Sequence, residues 1–312
     1  MLALPGAGPT GISMDYLGYD PATDSVWVPA GNTGAVDVID ATSQKVTQLS
    51  GFPSGEMGSD NRKRLVGPSS VTFGKGTVYI GDRFDSSVFS LDARTRARGA
   101  CVKLDSMPDG LAYVASTHEV WVTTPRDKTI RILDAGTLAQ KEKLTFEGNP
   151  EGFAVDARRN RFYTNMEDKD LTLAIDLKSH KTVATWKPAC GEDGPHGIKL
   201  DEKDGYLLVA CSTKTEVLDA GHNGAVLSSV ETGDGVDDLD YVPSTRMVYV
   251  GAAKAALLTV AHLDPAGKLT VKEKVATHPG ARNGVVAKNG AVFLGHGGGG
   301  NLSDIVVAAP VK

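Results

Sequence analysis

Apolar residues along this chain come in short runs that alternate with polar, glycine-bearing turns, and the runs recur in a set order. One run per repeat mixes β-branched, aliphatic and aromatic residues: Val26-Trp27-Val28, Val78-Tyr79-Ile80, Val120-Trp121-Val122, Phe162-Tyr163-Thr164, Leu207-Leu208-Val209, Val248-Tyr249-Val250 and Val292-Phe293-Leu294. Runs of this composition, bounded by turn residues, predict strands. A later run in most repeats ends in Asp ahead of a turn, at Asp40, Asp92, Asp134, Asp176 and Asp219. Such an Asp is expected to accept backbone N–H groups of the turn it opens. No segment carries a convincing helical period.

A second phrase marks the start of each repeat: a small residue or Pro, a polar residue, usually Gly, then an apolar run. Its polar positions are Asp15, Ser69, Asp109, Glu151, His196, Asp237 and Asn283. They recur about every 40 to 54 residues, the range of propeller blades and solenoid turns. The pattern predicts an all-β, seven-bladed β-propeller with four antiparallel strands per blade, spanning 1–312 as one domain. The last repeat is short, and Leu2-Ala3-Leu4 forms a spare strand at the start. The expected solution is that this first strand pairs near Ile305–Val307 and closes the last blade. A polar insertion, Gly51–Arg64, reads either as a surface loop or as a lid.

Composition narrows the function classes. A net charge of −5 and a pI near 5.8 argue against a general nucleic-acid or anionic-membrane binder. No apolar run approaches the roughly 18 residues needed to span a bilayer. The opening Met1–Gly6 has no basic segment followed by an apolar stretch, so no leader is visible. The Arg94–Arg98 turn reads as a solvated basic turn, with an anion contact as the other reading.

In a propeller, the starts of the inner strands and the ends of the second strands share a face. The polar column above therefore meets Arg83, Asn165, Glu167, Cys211 and His296, with Arg282 beside Asn283. Gathered carboxylates, an amide and an imidazole suit a divalent cation: oxygen donors favour Ca²⁺ or Mg²⁺, and an imidazole tilts toward Zn²⁺ or Mn²⁺. The expected ligands are Glu151, His196, Asp237 and Asn283. Asp15, Asp109, Asn165, Glu167, Arg282 and His296 are candidates for a small polar ligand. A plain alternative is a polar channel whose acids cap neighbouring strand ends.

Phe162-Tyr163-Thr164-Asn165, Pro150–Val155, Asn165–Lys169, Gly235-Val236-Asp237, Pro279–Arg282 and the Cys190…Cys211 pair resemble the YVTN-repeat, YncE-like seven-bladed propellers. That resemblance implies a periplasmic or secreted protein with its leader removed. It implies little about activity, because propellers host binding, lyase and hydrolase functions alike. Cys190 enters the fifth blade and Cys211 ends its second strand. In an oxidising compartment they form a disulfide, and reduced they form a soft-metal pair beside His196. Cys101 reads as a buried spectator. The leading expectation is an extracytoplasmic propeller that binds a divalent cation or small polar ligand. Two alternatives stay open. One is a metal-dependent lactonase- or lyase-type enzyme with His196 as base or ligand and Glu151 beside it. The other is a scaffold that docks a protein on the loop face.

Overall fold

The computed structural model describes residues 1–8, 11–58, 63–297 and 304–309. Seven four-stranded antiparallel sheets account for most of them, and the fold is a seven-bladed β-propeller. Blade one is Gly18–Asp20, Ser25–Ala30, Ala35–Asp40 and Val46–Ser50. Blade two is Pro68–Gly74, Thr77–Asp82, Ser87–Asp92 and Arg98–Lys103, and blade three is Leu111–Val114, Glu119–Thr124, Thr129–Asp134 and Gln140–Thr145. Blade four is Pro150–Asp156, Arg161–Met166, Leu171–Asp176 and Thr182–Trp186, and blade five is Pro195–Asp201, Tyr206–Cys211, Lys214–Asp219 and Ala225–Glu231. Blade six is Val236–Val242, Met247–Ala252, Leu257–Leu263 and Leu269–Ala276.

The seventh blade joins both ends of the chain. Its order is Leu2–Ala3, Asp304–Ala308, Val292–His296, Ala281–Val286, with Leu2 opposite Ile305 and Ala3 opposite Asp304. The first strand thus covers an edge that would otherwise offer unpaired backbone groups. Leu4 follows it into an apolar cluster with Ile12, Phe293 and Ile305.

Two compact units divide the contacts. One comprises residues 1–143 and 285–312; the other comprises 144–284. In the first unit, Trp27, Val36, Val71 and Ile80 join blades one and two, and Tyr79, Leu111 and Val122 join blades two and three. In the second, Tyr163, Trp186, Ile198 and Leu207 join blades four and five, and Leu208, Val217, Leu239 and Val250 join blades five and six. Apolar residues from facing sheets therefore form the core, and the polar positions are left at the strand ends.

The third-strand Asp residues do what their turns require. Asp40, Asp92, Asp134, Asp176 and Asp219 accept the N–H groups of Ser43, Thr95, Thr137, Ser179 and Gly221 respectively. The Gly51–Arg64 insertion contains a small hairpin, Gly55–Met57 paired with Arg64–Val66; residues 59–62 lie outside the described set. Cys101 corrects its expectation. It is exposed, because it lies on the outermost strand of blade two, where alternate residues face solvent. No helix among the described residues is long and apolar enough to cross a membrane.

Leu4 is 5% exposed. Leu4→Ala should therefore cost roughly 2–5 kcal/mol by opening a cavity in the closing blade. Urea denaturation reads this directly, and an unchanged midpoint would count against closure by the first strand.

Candidate functional site

Each inner strand of blades four, five and six starts with a register shift. The shifts fall between Pro150 and Phe153, between Pro195 and Ile198, and between Val236 and Leu239. A bulge leaves its extra residue unpaired and re-aims the side chains beside it. Here those residues include Glu151, His196, Asp237 and Asp238. Glycine makes the close approach feasible. A Cβ on Gly152 would sit 2.2 Å from the His196 carbonyl oxygen, and one on Gly197 would sit 2.1 Å from an Asp238 carboxylate oxygen.

Asn165, at the end of the second strand of blade four, fixes the next blade. Its buried Nδ2 donates to the carbonyls of His196 at 2.7 Å and Gly197 at 3.3 Å, and its Oδ1 accepts the Thr172 hydroxyl at 2.7 Å. Asn165, expected among the ligand-binding residues, is thus a support for His196, with both ends of its amide taken by neighbours.

His196 Nδ1 lies 3.4 Å from Glu151 Oε2 and 3.7 Å from Glu167 Oε1. One donor atom from each of the three residues falls within 4.8 Å of the others. On its far side, His196 Nε2 is 3.1 Å from Ser212 Oγ. A proton on Nε2 donated to Ser212 leaves the Nδ1 lone pair facing the two carboxylates. Glu151 and His196 are 17% and 13% exposed, against 43% for Glu167, so solvent reaches the cluster past Glu167.

Charge is concentrated here. Burial, with Glu167 and Asp237 nearby, pushes the Glu151 carboxyl up to about 8 despite its contact with His196. Burial alone would lower the His196 imidazole, but Glu151, Asp237 and Glu167 outweigh it and raise it. The pair therefore retains protons that isolated side chains would lose.

Asp237 and Asn283, expected among the metal ligands, bond to each other instead. Asn283 Nδ2 donates to Asp237 at 2.6 Å, and Asn283 Oδ1 accepts the Asp238 N–H at 3.2 Å. Arg282 Nη1 stands 3.4 Å from Asp237, so a cation already balances that carboxylate. Glu167, read from the sequence only as a ligand-binding residue, takes the place beside His196. Reasoning from the sequence missed Ser212, whose one signal is its position directly after Cys211. It also missed Lys199, whose ammonium lies 3.3 Å from the Asp238 carboxylate.

In the other unit the inner-column acids are neutralised. One Arg83 guanidinium nitrogen donates to both Asp15 and Asp109, and Arg83 is 13% exposed. Burial would lower its affinity for protons, yet the two carboxylates hold it well above the ordinary arginine value. Asp15 and Asp109 are thus ion-paired rather than open to a ligand. His296 Nδ1 lies 2.9 Å from Asp304 Oδ1 on the neighbouring strand of its own blade.

Cys190 and Cys211 are disulfide-bonded, with Cα atoms 5.2 Å apart. Asp170 accepts the Cys190 N–H at 3.0 Å. The bond ties the loop leading to His196 to the strand end that leads to Ser212.

Solved structures share this architecture. A chain in the crystal structure of the mitotic checkpoint complex matches over 99% of this chain and 90% of its own, with TM-score 0.79 and 14% identity. Hydrazine synthase of Kuenenia stuttgartiensis matches over 99% of each chain, with TM-score 0.76 and 11% identity. The Swd1 β-propeller domain of Myceliophteria thermophila matches over 99% of this chain and all of its own, with TM-score 0.75 and 10% identity. At these identities the likeness is one of fold. No family model and no curated protein sequence matches the chain.

Removing one partner of a buried ion pair is costly, so Arg83→Ala should destabilise the protein by about 3–5 kcal/mol. A change near zero in chemical denaturation would show that Arg83 does not hold Asp15 and Asp109. Replacing Cys190 and Cys211 by Ser should cost about 3 kcal/mol in the loop-entropy picture. Thiol mapping of the unreduced protein should find Cys101 alone reactive, and three reactive thiols would contradict the bond.

Proposed function

We propose that this chain is a β-propeller that binds a divalent cation through Glu151, Glu167 and His196. The observation that carries the reading is the convergence of two carboxylates and one imidazole nitrogen within 4.8 Å. Two donors held about 2.0–2.1 Å from one tetrahedral ion lie about 3.4 Å apart. The 3.4 and 3.7 Å separations from His196 Nδ1 are close to that spacing. An imidazole beside two carboxylates favours a borderline ion such as Zn²⁺ or Mn²⁺ over Ca²⁺. Three protein donors leave a coordination position for water or a small polar molecule, on the side of the half-exposed Glu167.

The disulfide supports an oxidising, extracytoplasmic location, where such bonds persist. The phrases shared with YVTN-repeat propellers support the same location. A second reading, docking of a protein partner, draws on the frequent use of β-propellers as interaction scaffolds.

A cation present at a hundred times its Kd should stabilise the native state by about 2.7 kcal/mol. The check is a thermal melt of the wild type and of Glu151→Gln/Glu167→Gln with added Zn²⁺ or Mn²⁺. The wild type should shift with concentration and the double variant should not. Glutamine mimics a neutral Glu151, so the variant should fold. A full shift in the variant, or none in the wild type, would overturn the proposal.

Protons compete with the cation for the same atoms. Burial raises Glu151 from the ordinary 4.5 to about 8 in the folded chain. The metal-free protein therefore gains stability from this group below about pH 4.5 and loses it as pH climbs through about 8. The cation-induced shift should grow between about pH 6 and about pH 8, with protons released on binding. A shift that shrinks over that interval would contradict competition at Glu151.

A further inference from the structure

A second polar cleft lies in the other unit, between blades one and two, at the end where their third strands turn. Its volume is about 260 Å³, and its lining includes Lys45, Arg94 and Arg96 together with Asp40, Ser43 and Thr47. Lys45 comes from the blade-one turn before Val46–Ser50, and the two arginines come from the blade-two turn before Arg98–Lys103. None of the three cations forms a side-chain ion pair among the described residues. Asp92 is nearby: its Oδ1 accepts the N–H groups of Arg94 and Thr95 and the Thr95 hydroxyl, and its charge acts on Arg94.

Three cations from two turns line this cleft. Asp40 and the nearby Asp92 offset part of that charge and leave an excess of one cation, so the cleft favours an anion. Guanidinium groups present paired donors that match the oxygens of phosphate or carboxylate. The rest of the lining narrows the class further. Asp40 accepts the Ser43 N–H at 2.6 Å and stays ionised, so it repels a bare anion but accepts from a hydroxyl. Ser43 and Thr47 add hydroxyl groups. The volume is below the roughly 300–1,000 Å³ of pockets for drug-sized ligands.

We infer that this cleft binds a small polyhydroxylated phosphate monoester, of the sugar-phosphate class. The phosphate lies against Arg94, Arg96 and Lys45, and a ligand hydroxyl donates to Asp40. This inference is independent of the cation site, which shares none of these residues.

Calorimetric titration of the full chain with glucose 6-phosphate, inorganic phosphate and glucose tests it. Glucose 6-phosphate should bind saturably and more tightly than inorganic phosphate, and glucose should not bind. Arg94→Ala/Arg96→Ala should weaken binding by on the order of tenfold or more. Both arginines lie in a surface turn, so this variant should keep the wild-type melting temperature. Arg158→Ala, in a turn of blade four, should change nothing. Asp40→Asn should narrow the preference for the sugar phosphate over inorganic phosphate. Three results would overturn the inference: no saturable binding at millimolar sugar phosphate, equal binding of inorganic phosphate, or unchanged affinity in the double arginine variant.

Discussion

The site in the second unit depends on how closely the inner strands of blades four, five and six approach one another. Gly152 and Gly197 lack the side chains that would keep these backbones apart. Asn165 then locks the approach by donating to two consecutive carbonyls of the next blade. Only because the strands come this near do Glu151 and His196, from different blades, reach hydrogen-bonding range. A larger residue at either glycine would push the strands apart and separate the donors. The chemistry of the site is therefore set by backbone spacing before any titratable group is considered.

The acids at the strand starts fall into two kinds. Arg83 cancels Asp15 and Asp109, Lys199 faces Asp238, and Arg282 faces Asp237. These pairings are structural, since each carboxylate has a cation of the chain beside it. Glu151 and Glu167 instead converge on an imidazole, whose charge depends on a proton. That difference leaves one cluster whose charge depends on pH, while the others are balanced by cations of the chain.

Much of the fold is legible in the sequence. The repeated polar position, the run such as Val120-Trp121-Val122 and the Asp before the third-strand turns of blades one to five each reflect one local rule. The spare first strand and short last repeat together imply the seventh blade. The pairing of the site residues was less legible. At the inner-strand starts of blades four, five and six a bulge places two consecutive residues where a regular ladder has one, so alternation no longer says which side chain turns inward. Asp237 and Asp238 show this: adjacent in sequence, they face Arg282 and Lys199 respectively. Asn283 and Asn165 look like ligands by residue type, but both ends of each amide are taken by neighbours. Such partners depend on tertiary distances of a few tenths of an ångström, which spacing along a chain does not encode.

The seventh blade also sets a schedule. Leu2 pairs with Ile305, so two strands about 300 residues apart in the chain must meet in one sheet. At about 5–20 residues per second, the interval between them is roughly 15–60 seconds. During that time Leu2 and Leu4 have no sheet to join, and blades one to three fold beside an open edge. Completion of the seventh blade therefore waits for the synthesis of Asp304–Ala308, and a chain cut short before Asp304 would present that edge to any other strand nearby.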